Sequence, residues 1–181
     1  TFIALSKKAW KFYESSNLPK FYFDLKPALK NAENNTTPYT PAVTLVLGLA
    51  AVLRRFRAEG REAMQKRHEK LAFAMREAMK AIGLEPYVKS VPSPALTTII
   101  APPEIGSGPV IKALASEFGI TVANGQDQAK GVIFRISHIG DIDVTDTITA
   151  VAAIESVLNG LGYKFDFGAA TKKASEILSA K

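Results

Sequence analysis

The stretch "GVIFRISHIG", residues 131–140, sets one arginine among apolar residues. By the two-residue alternation of a strand, Val132, Phe134, Ile136 and His138 share one face, and Ile133, Arg135, Ser137 and Ile139 the other. Both faces are mostly apolar, so the strand is expected to be buried on both sides. A guanidinium placed there is costly unless a carboxylate or another anion meets it. Arg135 therefore has two readings: an internal salt bridge to one of the 17 acidic residues, or a fork that grips a substrate carboxylate through two hydrogen bonds. His138 is either an acid–base group or a structural histidine at a strand end. Its one histidine companion is His68, so a histidine metal cluster is not expected.

A second stretch, "TTPYTPA" at 36–42, precedes an apolar run. A helix that starts here would offer free N–H groups and partial positive charge, which suit phosphate, and Thr37 and Thr40 would add two hydroxyls. The simpler reading makes Thr40 the N-cap, Pro41 the first helical residue and Thr37 part of a turn. The residues leave both open. Asp141, Asp143 and Asp146 lack the spacing and terminal Glu of a calcium loop, and capping of the next helix explains them better. Gly106 and Gly108 lack the lysine and spacing of a phosphate-binding loop.

The elements that would position these groups can be read from periodicity and punctuation. Residues 1–5 read as the tail of a buried strand, and Ser6 as the cap of a short helix through about Ser15. Residues 17–41 read as irregular, cut by Pro19, Pro27, Pro38 and Pro41. Helical pattern then runs to Ile82, with Gly60 as a break and Gly83 as the closing glycine. Met64, Leu71, Met75, Ala78 and Ile82 form its apolar stripe. Beyond it come a strand at 95–103, a helix at 108–120, strands in "TVANG" and "GVIFRISHIG", a helix capped by Asp143 or Thr145, and a last helix in "GAATKKASEILSAK". Strand, helix, strand, strand, helix is a small α/β domain.

Composition bounds the function classes. The 181 residues are 47% hydrophobic and 22% charged, the balance of a globular chain of one domain or slightly more. The sequence contains no cysteine, which excludes disulfides, thiolate metal sites and a cysteine nucleophile, and points to the cytoplasm. No apolar stretch approaches the roughly 20 residues of a membrane span. The formal charge of +6 is partly concentrated between Arg54 and Lys70. A basic helix can bind nucleic acid, but charge alone names no partner, and a solvated face with pairs such as Glu62–Lys66 is the reading preferred here. The opening "TFIALSKKAW", apolar and without Met, reads as the inside of a longer protein.

Taken together, "TPYTPAVTLVLGL" and "VANGQDQAKGVIFRISHIG" with the helix that follows resemble the C-terminal half of class V pyridoxal-phosphate-dependent aminotransferases, the alanine–glyoxylate and serine–pyruvate group. The resemblance covers roughly residues 1–165, and its two motifs lie about 90 residues apart in the expected order. It implies an α/β fold of the aspartate-aminotransferase type. Residues 1–41 would be the end of the large cofactor-binding domain, 42–83 a long linking helix region and 84–181 the small C-terminal domain. It also implies a homodimer whose active site is shared between subunits. Thr40 matches a threonine that binds the pyridoxal 5'-phosphate phosphate of the partner subunit; Thr37 matches a position often held by tyrosine. Arg135 matches the arginine that holds the substrate α-carboxylate. The implied reaction is a ping-pong exchange through an external aldimine, from alanine or serine to glyoxylate or pyruvate.

The family's Schiff-base lysine, and the aspartate facing the pyridinium nitrogen, would lie before Thr1. Lys7 and Lys8 resemble the stretch after that lysine and are not assigned its role. No catalytic residue is therefore expected in this chain, which alone would be an inactive fragment partnered by the N-terminal half of the same enzyme. The alternatives are another class V enzyme, such as a lyase or an aspartate-type aminotransferase, and a non-catalytic basic module built on Arg54–Lys70. The missing cysteine argues against a cysteine desulfurase.

Overall fold

The computed structural model describes residues 3–180. They divide into two units, Thr1–Leu53 and Arg54–Lys181, and the division falls within one helix. No helix among the described residues is long and apolar enough to cross a membrane.

The first unit holds α1 (Lys7–Ser15), α2 (Leu25–Glu33) and the start of α3 (Val43–Glu59). Ser6 caps α1 as expected, its Oγ accepting the Ala9 N–H at 3.2 Å. The strand expected at 1–5 does not form over Ile3–Leu5, where the chain is irregular and Ile3 exposed; Thr1 and Phe2 lie outside the described residues. α2 arises where an irregular segment was expected. Asp24 caps it through the Lys26 N–H at 3.1 Å and also accepts the Tyr13 hydroxyl. These bonds hold the Asp24 carboxyl below the usual carboxylate range. Pro27 is tolerated because it sits in the first turn, where a backbone N–H would have no helical partner.

The second unit carries the core. α4 (Arg61–Ala81) follows α3 after Gly60, whose φ of 86° interrupts the helix. Its stripe buries Leu71, Met75 and Ala78 as the spacing predicts, with Met64 only half-buried. The helix ends in a Schellman motif: Gly83, at φ 80°, donates to Lys80 O, and Leu84 donates to Met79 O.

Then come β1 (Leu96–Ile100), α5 (Ser107–Phe118), β2 (Ala123–Asn124), a 3₁₀ turn at Asp127–Ala129, β3 (Ile133–Ser137), α6 (Val144–Gly160) and α7 (Ala169–Ser179). The sheet runs in the order β1-β3-β2, antiparallel throughout. Thr97, Ile99, Phe134 and Ile136 are buried in it, and α4, α5, α6 and α7 contribute Met75, Leu114, Ile154 and Ala174 to the same core.

A buried carboxylate fastens the last helix. Glu155 of α6 is 2% exposed, and its oxygens accept the N–H groups of Gly168, Ala170 and Thr171 at 2.9–3.2 Å, together with the Thr171 hydroxyl. It satisfies the free donors that every helix start leaves. At α6 itself Asp143 and Asp146 form a capping box, with bonds of 2.9 and 3.0 Å. Capping is thus the role of two of the three clustered aspartates, and the third, Asp141, pairs with Arg55 at 2.5 Å. Thr145 does not cap the helix.

Candidate functional site

Arg135 stands in the middle strand of the sheet, opposite Thr98 on β1 and Ala123 on β2. The expectation of burial on both sides fails here. Phe134 and Ile136 face the core, while along the opposite face burial fades from Ile133 through half-buried Arg135 to exposed Ser137. An antiparallel sheet can leave one face wet, because its hairpin-scale connections need not cover both sides. The arginine therefore pays less desolvation than a doubly buried strand would impose.

Among the described residues no carboxylate pairs with Arg135. Its one hydrogen bond there runs from Nε to the backbone carbonyl of Asn124, at 2.7 Å. Both terminal nitrogens are left without a partner among the described residues. Asn124 is itself held tightly: its Oδ1 accepts the N–H groups of Gly125 at 2.7 Å and Gly131 at 3.0 Å, and the hydroxyl of buried Ser107 at 3.0 Å. The loop between β2 and β3 folds back so closely that a Cβ on Gly125 would lie 2.0 Å from the Ala129 carbonyl oxygen. Only glycine fits there.

His138 lies just past β3 and is 1% exposed. Its Nε2 shares a hydrogen bond of 2.8 Å with the Thr97 hydroxyl. Burial first, and then the positive charges of Arg76 and His68, push its pKa down to about 4. It is therefore neutral near pH 7, a satisfied core group. Arg76 on α4 is less well served: its Nη1 is buried without a hydrogen-bond partner among the described residues.

The Thr37–Thr40 segment belongs to the first unit. α3 does not begin at Pro41: the Val43 N–H turns back to Pro41 O at 2.9 Å, and the first helical bond runs from Val46 N–H to Ala42 O at 3.0 Å. Thr40 is thus two residues too early to cap the helix, and its exposed side chain makes no hydrogen bond among the described residues. Thr37 Oγ1 donates to Tyr39 O at 2.5 Å, and the Tyr39 ring stacks on Tyr22 at 4.5 Å. The N–H groups of Thr44 and Leu45 in the first turn have no partner among the described residues. Two free backbone donors and a free hydroxyl form a donor set that fits part of a phosphate shell.

The basic stretch is partly spent on internal contacts. Arg67 forks onto Glu59 at 2.6 and 3.0 Å and donates to Ile142 O at 2.7 Å. That contact holds the Glu59 carboxyl below its usual range. The expected Glu62–Lys66 pair is absent among the described residues. No group of acids and histidines suited to a metal ion occurs among them either.

No family model matches the chain. It is 43% identical over 180 residues to the small subunit of a soluble hydrogenase from a Synechococcus, covering 98% of this chain and 47% of that protein. Over 183 residues it is 32% identical to a serine–glyoxylate aminotransferase of Methylorubrum extorquens, covering 97% and 46%. The ureidoglycine–glyoxylate aminotransferase of Bacillus subtilis superposes with a TM-score of 0.88 at 26% identity, over 96% of this chain and 46% of that one. The chain has class V aminotransferases as its homologues and structural neighbours. It matches their C-terminal half, with the aspartate-aminotransferase-like fold, and spans about half the length of the curated relatives it matches.

Within the chain, Arg135 and its surroundings stand in one unit and Thr37 and Thr40 in the other. Sequence reasoning missed Asn124, Ser107 and Arg76. The Asn-Gly pair at 124–125 was a visible turn signal, but nothing in the spacing said that its carbonyl would meet Arg135. Arg76 carried no such signal, since its lone buried nitrogen follows from tertiary packing alone.

Proposed function

We propose that this chain is part of a pyridoxal-phosphate-dependent aminotransferase that moves an amino group from alanine or serine to glyoxylate or pyruvate. The observation that carries the reading is Arg135: a guanidinium without a carboxylate partner among the described residues, on the open face of the sheet and anchored through Nε alone. An amino acid's α-carboxylate is the planar, bidentate acceptor that such a fork fits. The relatives' names supply the acceptor, since serine–glyoxylate and ureidoglycine–glyoxylate aminotransferases both carry glyoxylate in theirs.

Arg135 would hold the carboxylate and so fix the position of the α-carbon, which supplies orientation. Pyridoxal phosphate, when bound, supplies the electron sink for bond-breaking at that carbon. The free donors at the start of α3, with the Thr40 hydroxyl and with Thr37 as a second contact, would hold its phosphate; in a homodimer that phosphate belongs to the partner subunit. The Schiff-base lysine is assigned to the N-terminal half of the same enzyme. Residues 1–41 would end the large domain, 42–83 link the two and 84–181 form the small domain. A cytoplasmic location is part of this reading, supported by a sequence without cysteine.

The test is Arg135→Ala in the full-length, cofactor-loaded enzyme. The Michaelis constant for the amino acid should rise about 100-fold, on the order of 2.7 kcal/mol of lost carboxylate binding. An unchanged constant would remove the fork from the reading.

A further inference from the structure

The contacts around Arg135 assign a role to a residue outside the expected site. We infer that Asn124 is a positioning residue, whose three-bonded side chain fixes the carbonyl that aims the Arg135 fork. The inference rests on the carboxylate reading of Arg135 given above.

An arginine side chain donates through five N–H bonds, and two carboxylate approaches satisfy it in bidentate fashion: side-on through Nε and one terminal nitrogen, or end-on through both terminal nitrogens. Here the Nε–H is already given to Asn124 O at 2.7 Å. The side-on edge is blocked, and the substrate carboxylate must enter end-on. The direction of that entry is set by where the Asn124 carbonyl stands. Asn124 is the last residue of the two-residue strand β2, so the sheet itself holds it weakly. Its Oδ1 makes up the difference by collecting Gly125 N–H and Gly131 N–H, which closes the two ends of the loop on one atom. The Ser107 hydroxyl ties the same atom to the first residue of α5. Ser107 is fully buried, and its own N–H donates to Gly131 O at 2.9 Å, so the anchor is rigid from both sides. An asparagine does this without charge. An aspartate could accept the same three bonds, but its negative charge would compete with the substrate for the guanidinium.

The experiment is a double-mutant cycle in the full-length, cofactor-loaded enzyme, with L-alanine and L-serine as donors and glyoxylate as acceptor, alongside crystal structures of the variants. Asn124→Ala should raise the amino-acid Michaelis constant about 10-fold with kcat within about twofold, because the fork is misaimed while the chemistry is untouched. In the Asn124→Ala, Arg135→Ala double variant the constant should be no higher than in Arg135→Ala alone, since the first residue acts only through the second. The Asn124→Ala crystal structure should show Arg135 Nε released from the residue 124 carbonyl. Ser107→Ala, which removes one bond of three, should give a rise of about two- to threefold and the same non-additivity; it carries the cycle if Asn124→Ala does not fold. Multiplying effects, or an Arg135 that keeps its place in the variant structure, would overturn the positioning role while leaving the fork intact. If Arg135→Ala itself leaves the constant unchanged, the fork reading fails first and takes this inference with it.

Discussion

The two units of the chain solve the folding problem differently. In Arg54–Lys181 the helices and sheet share one apolar core, and buried Glu155 and His138 have hydrogen-bond partners there, while Arg76 Nη1 has none among the described residues. In Thr1–Leu53 no side chain of α1 or α2 is buried, and Phe23 is 89% and Phe21 83% exposed. Its helices are held by caps and by contacts such as Tyr13 with Asp24. The candidate groups differ in the same way. Arg135 is anchored by a network within its unit, whereas Thr40 has no hydrogen bond among the described residues. A carboxylate fork can be built to its working geometry by one unit, while a phosphate contact supplied by a loop depends on what else closes around it.

That contrast can be broken by mutation, and the largest effect is expected deep in the second unit. Glu155→Ala should leave the first N–H groups of α7 unsatisfied and cost about 3 kcal/mol. Hydrogen exchange at Ala170 and Thr171 would report it as lost protection, and unchanged protection would show that α7 is held by its apolar face alone.

His138 offers a test in pH. Its folded pKa of about 4 lies below the ordinary histidine value of 6.5, so the fold favours the neutral ring. That contribution is complete above about pH 6.5 and is lost as pH falls toward 4, up to about 3 kcal/mol in all. His138→Gln should remove this part of the acid sensitivity; urea unfolding of both proteins across that range would measure it, and identical pH slopes would refute it.

Thr40→Val is expected to weaken cofactor retention about fivefold without changing the unfolding midpoint, as equilibrium dialysis would show. The smallest effect is expected in the first unit's surface. Phe23→Ser should change unfolding free energy by less than about 0.5 kcal/mol, provided Phe23 remains as exposed in the enzyme as in this chain. A larger loss would mean that this ring is covered in the assembled protein.

Much of the second unit was legible in the sequence because its signals are local. The α4 stripe, the Gly60 break, the Gly83 ending and the Asp143 cap each follow from spacing or from a residue whose conformation is special. The failures have equally physical causes. α2 was hidden by Pro27, which breaks a helix interior but is harmless in a first turn. A threonine before a proline is a helix-start signal, which makes Thr40 a possible cap, yet the Val43-to-Pro41 turn moves the start along. The open face beside Arg135 could not be read, since apolar runs on both faces looked like double burial. The Asn124 contact lay further out of reach, because it joins a backbone oxygen to a side chain 11 residues away.

The Asn124–Gly125 pair has a consequence for the lifetime of the protein. In a flexible chain an Asn-Gly sequence ages readily, as the glycine nitrogen attacks the side-chain amide and converts it to an acid. Here that nitrogen is held between Ile133 O at 3.1 Å and Asn124 Oδ1 at 2.7 Å, and the asparagine is pinned in a strand. The folded state therefore protects its own arginine anchor from slow chemical damage. Each excursion that opens the loop exposes the pair, so mass spectrometry of stored protein should find acid at residue 124 accumulating with time spent unfolded rather than with age alone.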